Sequence, residues 1–156
     1  MHRFKRVYTV YGNTKVVVTF HGESLMFSHV HVGARNLSKL VCFYEAILSR
    51  LGLVQIPEGN GGSAQGVGWK YPDKRWPQFY VQLPVNGLPS TWGNGVQVSF
   101  LVASHADVKE IWELAITMGG TDEGPPGFRE YATDFFAAYC RDPEGNKLCF
   151  VCAPEA

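Results

Sequence analysis

Residues 27–53, FSHVHVGARNLSKLVCFYEAILSRLGL, carry a strand, a capped helix and a helix stop in one unbroken stretch. Phe27–Ala34 reads as a strand, with His29 and His31 at the same parity. Asn36 then stands as an N-cap, because a short polar side chain can satisfy an orphan N–H of the first turn. Leu37, Leu40, Val41, Tyr44, Leu48 and Leu51 follow at helical spacing, and Gly52 supplies the stop.

The chain says the same thing a second time. Val96–Ala103 is again a strand, Ser104 an N-cap with Asp107 in a variant capping box, and Val108, Ile111, Trp112, Ala115 and Met118 an apolar stripe ending at Gly119-Gly120. His29 and Gln97 each lie seven residues before their caps (36−29 and 104−97), and the two halves repeat at an offset of 68 residues (104−36). Leu53–Ile56, Gly66–Tyr71 and Phe79–Leu83 are candidate strands after the first helix. Thr121–Gly124, Phe135–Arg141 and Lys147–Cys152 play that part after the second. Each half is therefore βαβββ, an α/β pattern of the α+β kind, with modules at about 27–84 and 95–154 joined by the Pro-, Gly- and Asn-rich Pro84–Asn94. The expectation is one curved mixed sheet forming a cup, with the helices outside. Residues 1–26 differ in kind: Arg6–Val10 and Lys15–Phe20 flank the turn-forming Tyr11-Gly12-Asn13-Thr14, the pattern of an added β-hairpin.

Composition narrows the function. A chain of 156 residues, 46% of them hydrophobic, can bury one ordinary core. Fourteen basic residues balance fourteen acidic ones, so no global field draws the chain to nucleic acid or an anionic membrane. Apolar runs are strand-sized, no apolar segment follows the basic Met1–Arg6, and four cysteines are too few for a disulfide scaffold. A reduced, cytoplasmic protein is expected.

Three segments carry a family resemblance. Phe27–Val32 with Leu37, Phe43-Tyr44-Glu45-Ala46-Ile47-Leu48 and Leu51-Gly52-Leu53 resembles the opening of the vicinal oxygen chelate superfamily, which holds glyoxalases, bleomycin resistance proteins and extradiol dioxygenases. Gly119-Gly120-Thr121, Gly124-Pro125-Pro126-Gly127-Phe128-Arg129 and Tyr131 are similar to its glyoxalase-like branch, and Ala137–Leu148 resembles its closing hairpin. The resemblance spans about residues 27–153. It implies a cup-shaped sheet around one divalent metal (zinc, nickel, manganese or iron) held by the first and last strands of each module. By position the ligands become His29, Tyr80 or Gln82, Gln97 and Cys149, with Gln82 favoured by the repeat offset. Here the chain departs from the family: Gln97 stands where His is common and Cys149 where Glu is common, so no carboxylate remains.

The remaining candidates are read from the residues. Trp69, Tyr80, Phe100, Phe136 and Tyr139 lie on strands that can line a cup, suited to a small organic ligand. Arg129, near Tyr131 in the Gly- and Pro-rich segment, is placed to hold a carboxylate or another anion. Counting outward from the Asp142–Asn146 turn sets Cys140 opposite Cys149, either as a redox pair or as two reduced thiols. Cys149 and Cys152 fall on opposite strand faces and make a poor chelate.

Two readings of function follow. One is a protein of the family's fold with a degenerate metal centre that binds a small organic molecule. The other is a divalent-metal lyase or isomerase of the glyoxalase type, which suits the residues better than a dioxygenase, whose iron site takes two histidines and a carboxylate. A third class, an interaction module, would use the hairpin as its contact surface, and a homodimer is left open.

Overall fold

The computed structural model describes residues 5–9, 15–19, 27–57 and 65–153, the first two segments through their backbone alone. Strands β1 (Lys5–Thr9) and β2 (Lys15–Thr19) pair antiparallel with Val7 opposite Val17. The turn expected at 11–14 lies outside the described residues.

Both modules are βαβββ units. The first runs β3 (His29–Gly33), α1 (Leu37–Arg50), β4 (Val54–Gln55), β5 (Gly66–Lys70) and β6 (Gln78–Gln82). The second runs β7 (Val98–Leu101), α2 (His105–Thr117), β8 (Thr121–Phe128), β9 (Phe136–Arg141) and β10 (Lys147–Cys152). Their eight strands are hydrogen-bonded as two sheets of four, ordered β3-β6-β5-β4 and β7-β10-β9-β8, rather than as one continuous sheet. In each, the first strand pairs parallel with the last, which demands a crossover, and the helix supplies it.

The helix ends follow the sequence. Asn36 Oδ1 accepts from the Lys39 N–H, and Gly52 takes the left-handed conformation after the α1 C-cap. Ser104 Oγ accepts from the Asp107 N–H and donates to the Asp107 carboxylate. β8 extends beyond the expected Gly124 to Phe128, with register shifts between Asp122 and Gly124 and again before Gly127. Pro125 and Pro126 have no N–H to give a ladder, which an edge strand with bulges can accommodate.

One core serves both modules. Leu40, Phe43, Tyr44, Ile47 and Leu48 of α1 and Val108, Ile111 and Ala115 of α2 pack on Trp69, Phe79, Val81, Leu148 and Phe150. Burying each large apolar side chain contributes roughly 1.5–3 kcal/mol. Phe100 bridges the modules, its ring 5.6 Å from Phe79 and 6.0 Å from Phe150.

A polar clamp adds to this. The Tyr44 hydroxyl donates to Asp142 Oδ2 at 2.8 Å, and Asp142 also accepts from the Glu144 N–H, the Asn146 N–H and the Asn146 side-chain amide. Glu144 in turn accepts from the backbone N–H groups of Arg35 and Asn36, both at 2.6 Å, where the chain enters α1. The Asp142–Asn146 segment, read from sequence as a turn only, thus joins the second module to the first module's helix.

Candidate functional site

Each sheet has one face covered by its helix and one open face, and strand alternation decides which residues belong to which. On β6, Phe79 and Val81 are buried against the helix, so Gln78, Tyr80 and Gln82 point the other way. His29 and His31 of β3 share that open face, because Tyr80 pairs with His31 and Gln78 with His29 across the parallel ladder.

The first open face is a contiguous group of rings and amides. The His31 ring stacks on Tyr80 with centroids 4.9 Å apart, and the His29 ring meets His31 edge-on at 4.8 Å and Trp76 at 6.1 Å. The Tyr80 hydroxyl donates to Gln78 Oε1 at 2.7 Å, while His31 bonds Gln82 and Ser28 Oγ lies 2.9 Å from His29 Nδ1. Burial and then the neighbouring His29 hold the His31 imidazole below its usual pKa, with the Gln82 bond acting in the opposite direction. Gly68 makes the floor of this group flat: a Cβ there would stand 2.4 Å from the Tyr80 ring.

The second sheet's face away from α2 carries different chemistry, and its middle is buried, with Ala137, Cys149 and Val151 packed against Phe135, Tyr139 and Ala153. Ser99, Cys149, Tyr139 and Gly124 form one row across β7, β10, β9 and β8. Gln97 donates to Ser99 Oγ, and the Cys149 thiol bonds Ser99 and Tyr139. Burial pushes the pKa of the Cys149 thiol up, and that of the Tyr139 hydroxyl likewise. The Arg129 guanidinium and the Lys147 ammonium lie 5.4 and 5.6 Å from the Tyr139 ring centre.

These placements sort the candidates. Tyr80, His29 and Gln82 gather on the first open face, and Arg129, Gln97 and Cys149 on the second; no hydrogen bond or ring contact joins the two sets among the described residues. Trp69, Phe100 and Phe136 do not reach an open face. Trp69 shares the parity of Val67, is fully buried, and donates its indole N–H to Glu45 on α1. Phe100 packs in the shared core, and Phe136 stacks on His105 at the start of α2. Tyr131 is 78% exposed beside Phe135. Register corrects two further expectations. Cys149 pairs with Ser99 as Tyr80 pairs with His31, so its counterpart in the repeat is Tyr80 and that of Gln82 is Val151. Cys140 faces Leu148, not Cys149, and burial raises its thiol to about 12. Sequence reading passed over Gln78, Trp76, Ser99 and Lys147; parity with Tyr80, Gln97 and Cys149 would have found all but Trp76.

Neither a family model nor a curated protein matches this sequence. Among solved structures, a glyoxalase/bleomycin resistance protein from Albidiferax ferrireducens T118 is 36% identical, covering 83% of this chain and 100% of that one, with a TM-score of 0.71. The chain belongs to the glyoxalase/bleomycin resistance protein family. Its fold is shared by a glyoxalase/bleomycin resistance protein/dioxygenase family enzyme from Burkholderia phytofirmans PsJN, at 19% identity over 81% of this chain and 98% of that one, with a TM-score of 0.63. A glyoxalase-related enzyme from Fulvimarina pelagi matches at 15% identity over 83% and 88%, also with a TM-score of 0.63.

A divalent metal is common in this glyoxalase/bleomycin resistance family, and the donors here do not suit one. No three His, Cys, Asp or Glu side chains come together to hold an ion among the described residues. The positional ligands His29, Gln82, Gln97 and Cys149 supply one imidazole, one thiol and two amides and no carboxylate, a poor donor set for a divalent ion. No helix among the described residues is long and apolar enough to cross a membrane.

Proposed function

We propose that this member of the glyoxalase/bleomycin resistance family binds a small organic molecule on its open sheet faces, with the family's metal centre degenerate. The observation that carries the reading is the contiguous group of His29, His31, Trp76, Gln78 and Tyr80 on a face that no helix covers. Aromatic rings with a few hydrogen-bonding tips offer stacking area and orientation to a small ligand. The donor chemistry speaks for the degenerate centre, since hard ions favour carboxylate oxygen and neither open face presents a carboxylate at the positions expected from the family.

A thermal-shift screen of small aromatic and aliphatic compounds tests the binding, run with a Tyr80→Ala/His31→Ala variant in parallel. Stabilisation of the wild type that disappears in the variant is expected. Compounds that stabilise both proteins equally would place the ligand elsewhere. Elemental analysis tests the metal: divalent metal well below one per chain is expected, and full occupancy retained through mild chelation would favour a metal-dependent lyase or isomerase instead.

A further inference from the structure

The open face of the second sheet holds an arginine that the fold has been shaped to position. Arg129 follows β8, where the backbone bulges twice, and its guanidinium donates to the Pro125 carbonyl at 2.5 Å and the Phe128 carbonyl at 3.4 Å. It also lies over the Tyr139 ring. Two glycines make room for it. A Cβ at Gly127 would stand 3.1 Å from Arg129 Nη1, and one at Gly124, whose φ of +152° few other residues adopt, would stand 3.1 Å from the Tyr139 ring and 3.5 Å from Arg129 Nη2. The Gly-Pro-Pro-Gly-Phe-Arg segment is therefore a cradle for one half-buried guanidinium.

That cation has no acidic partner among the described residues. Glu123 pairs with Arg141 and Lys147, and Asp122 accepts from the Gly124 N–H. The surroundings of Tyr139 thus hold Arg129, Lys147 and Arg141 against Glu123 and Asp122, an excess of one positive charge. From Arg129 the row Tyr139, Cys149, Ser99 crosses the sheet; its middle, Cys149 with the flanking Ala137 and Val151, is buried, while half-buried Tyr139 at one end and exposed Ser99, Leu101 and Gln97 at the other reach the surface. Its sequence of chemistry is a cation, an aromatic ring, a small apolar stretch and then hydroxyl and amide groups. Adjacent strands stand about 4.8 Å apart, so three strands offer roughly 10 Å, the length of a compact organic acid.

We propose that this row is the binding site of a small organic acid whose carboxylate is taken by the planar fork of Arg129 and whose body runs from Tyr139 toward the exposed Ser99 and Gln97, above the buried Cys149. The proposal rests on the open-face reading and adds to it a site and a ligand charge. A guanidinium already fixed by two carbonyls loses little freedom when it receives a carboxylate, and its remaining N–H groups suit a two-point contact.

Benzoate and its neutral counterpart benzamide serve as probes, titrated into the full chain while its backbone amide resonances are followed. Benzoate is expected to shift Gly124, Gly127, Arg129 and Tyr139 and to bind more tightly than benzamide. Arg129→Gln is expected to weaken benzoate about tenfold or more while leaving benzamide unchanged, the loss typical of one charge-assisted contact. Arg129→Lys, which keeps the charge and the fold but not the fork, should fall between the two. Equal binding of benzoate and benzamide, or benzoate binding that survives both substitutions, would overturn the organic-acid proposal; if benzamide still shifts open-face residues, the small-molecule reading stands. If neither probe shifts either open face, both fail.

Discussion

The two open faces occupy equivalent places in a repeated fold and share almost no chemistry. Superposed by the register of the repeat, His29 corresponds to Gln97, His31 to Ser99, Tyr80 to Cys149 and Gln82 to Val151. On the helix-covered faces the same register pairs Val30 with Val98, Val32 with Phe100, Phe79 with Leu148 and Val81 with Phe150, apolar in every case. The contrast separates two demands on one strand. Residues under the helix must exclude water, whatever their exact shape, because that burial drives folding. Residues on the open face answer only to what they touch there. The first face has become a stack of rings and amides, the second a cation-bearing strip with a small-residue floor.

The sharpest way to break this comparison is to attack what both modules share. Asp142 is 2% exposed and satisfies four donors, one of them the buried Tyr44 hydroxyl of the other module. Asp142→Ala strands that hydroxyl and the turn's N–H groups, with an expected loss of about 3 kcal/mol in urea unfolding. Tyr44→Phe should lose about 2 kcal/mol, because it removes one bond to a buried carboxylate and leaves the turn intact. Both variants should still unfold in a single transition. A change below about 0.5 kcal/mol would mean that the clamp holds nothing together.

A smaller effect separates the faces themselves. Gly68→Val sets a side chain where the Tyr80 ring now lies, since even a Cβ would stand 2.4 Å from it. Tyr80 can swing away, so the expected cost is only about 1–2 kcal/mol. The expected signature is local: the His29 and His31 ring resonances shift as Tyr80 leaves its stack, while those of Tyr139 stay unchanged. Matching shifts on Tyr139 would show the two faces to be one coupled surface, and the contrast between them would dissolve.

What the sequence makes legible is whatever repeats with a local period. Helical spacing, the caps at Asn36 and Ser104 and the strand-forming runs are all local signals, and the structure places elements where those signals stand. Facing is also local, yet aromatic character misleads about it. Trp69 alternates with Gly66 and Gly68, and Phe136 with Ala137, so parity assigns both to the core even though large rings invite a pocket reading. The pairing of Cys149 depends on how the turn from Asp142 to Asn146 closes, and a change of one residue exchanges its partner from Cys140 to Tyr139. The Tyr44–Asp142 bond joins residues 98 apart, and no period connects them. The Arg129 cradle is intermediate. Its glycines and prolines announce a bent strand, but only the fold shows which side chain the bend receives.

The finest probe of the contrast is titration, because only the first face carries imidazoles. His31 lies below its ordinary pKa of 6.5 through burial and, secondarily, through the charge of His29; its counterpart Ser99 does not titrate. In the unfolded chain His31 would titrate near 6.5. Between the lower folded value and that point, the unfolded state binds more protons, so folding stability rises with pH across the interval. The contribution is complete above about pH 6.5 and is lost as the pH falls through the folded value. His31→Asn should therefore flatten this part of the stability profile by a small amount, because the side chain is partly exposed and water screens its charge. His29→Asn removes the secondary cause and should raise the His31 titration midpoint part of the way toward 6.5, read from its ring proton resonances. An unchanged midpoint would mean that burial alone sets the His31 value and that the two imidazoles, although 4.8 Å apart, titrate independently.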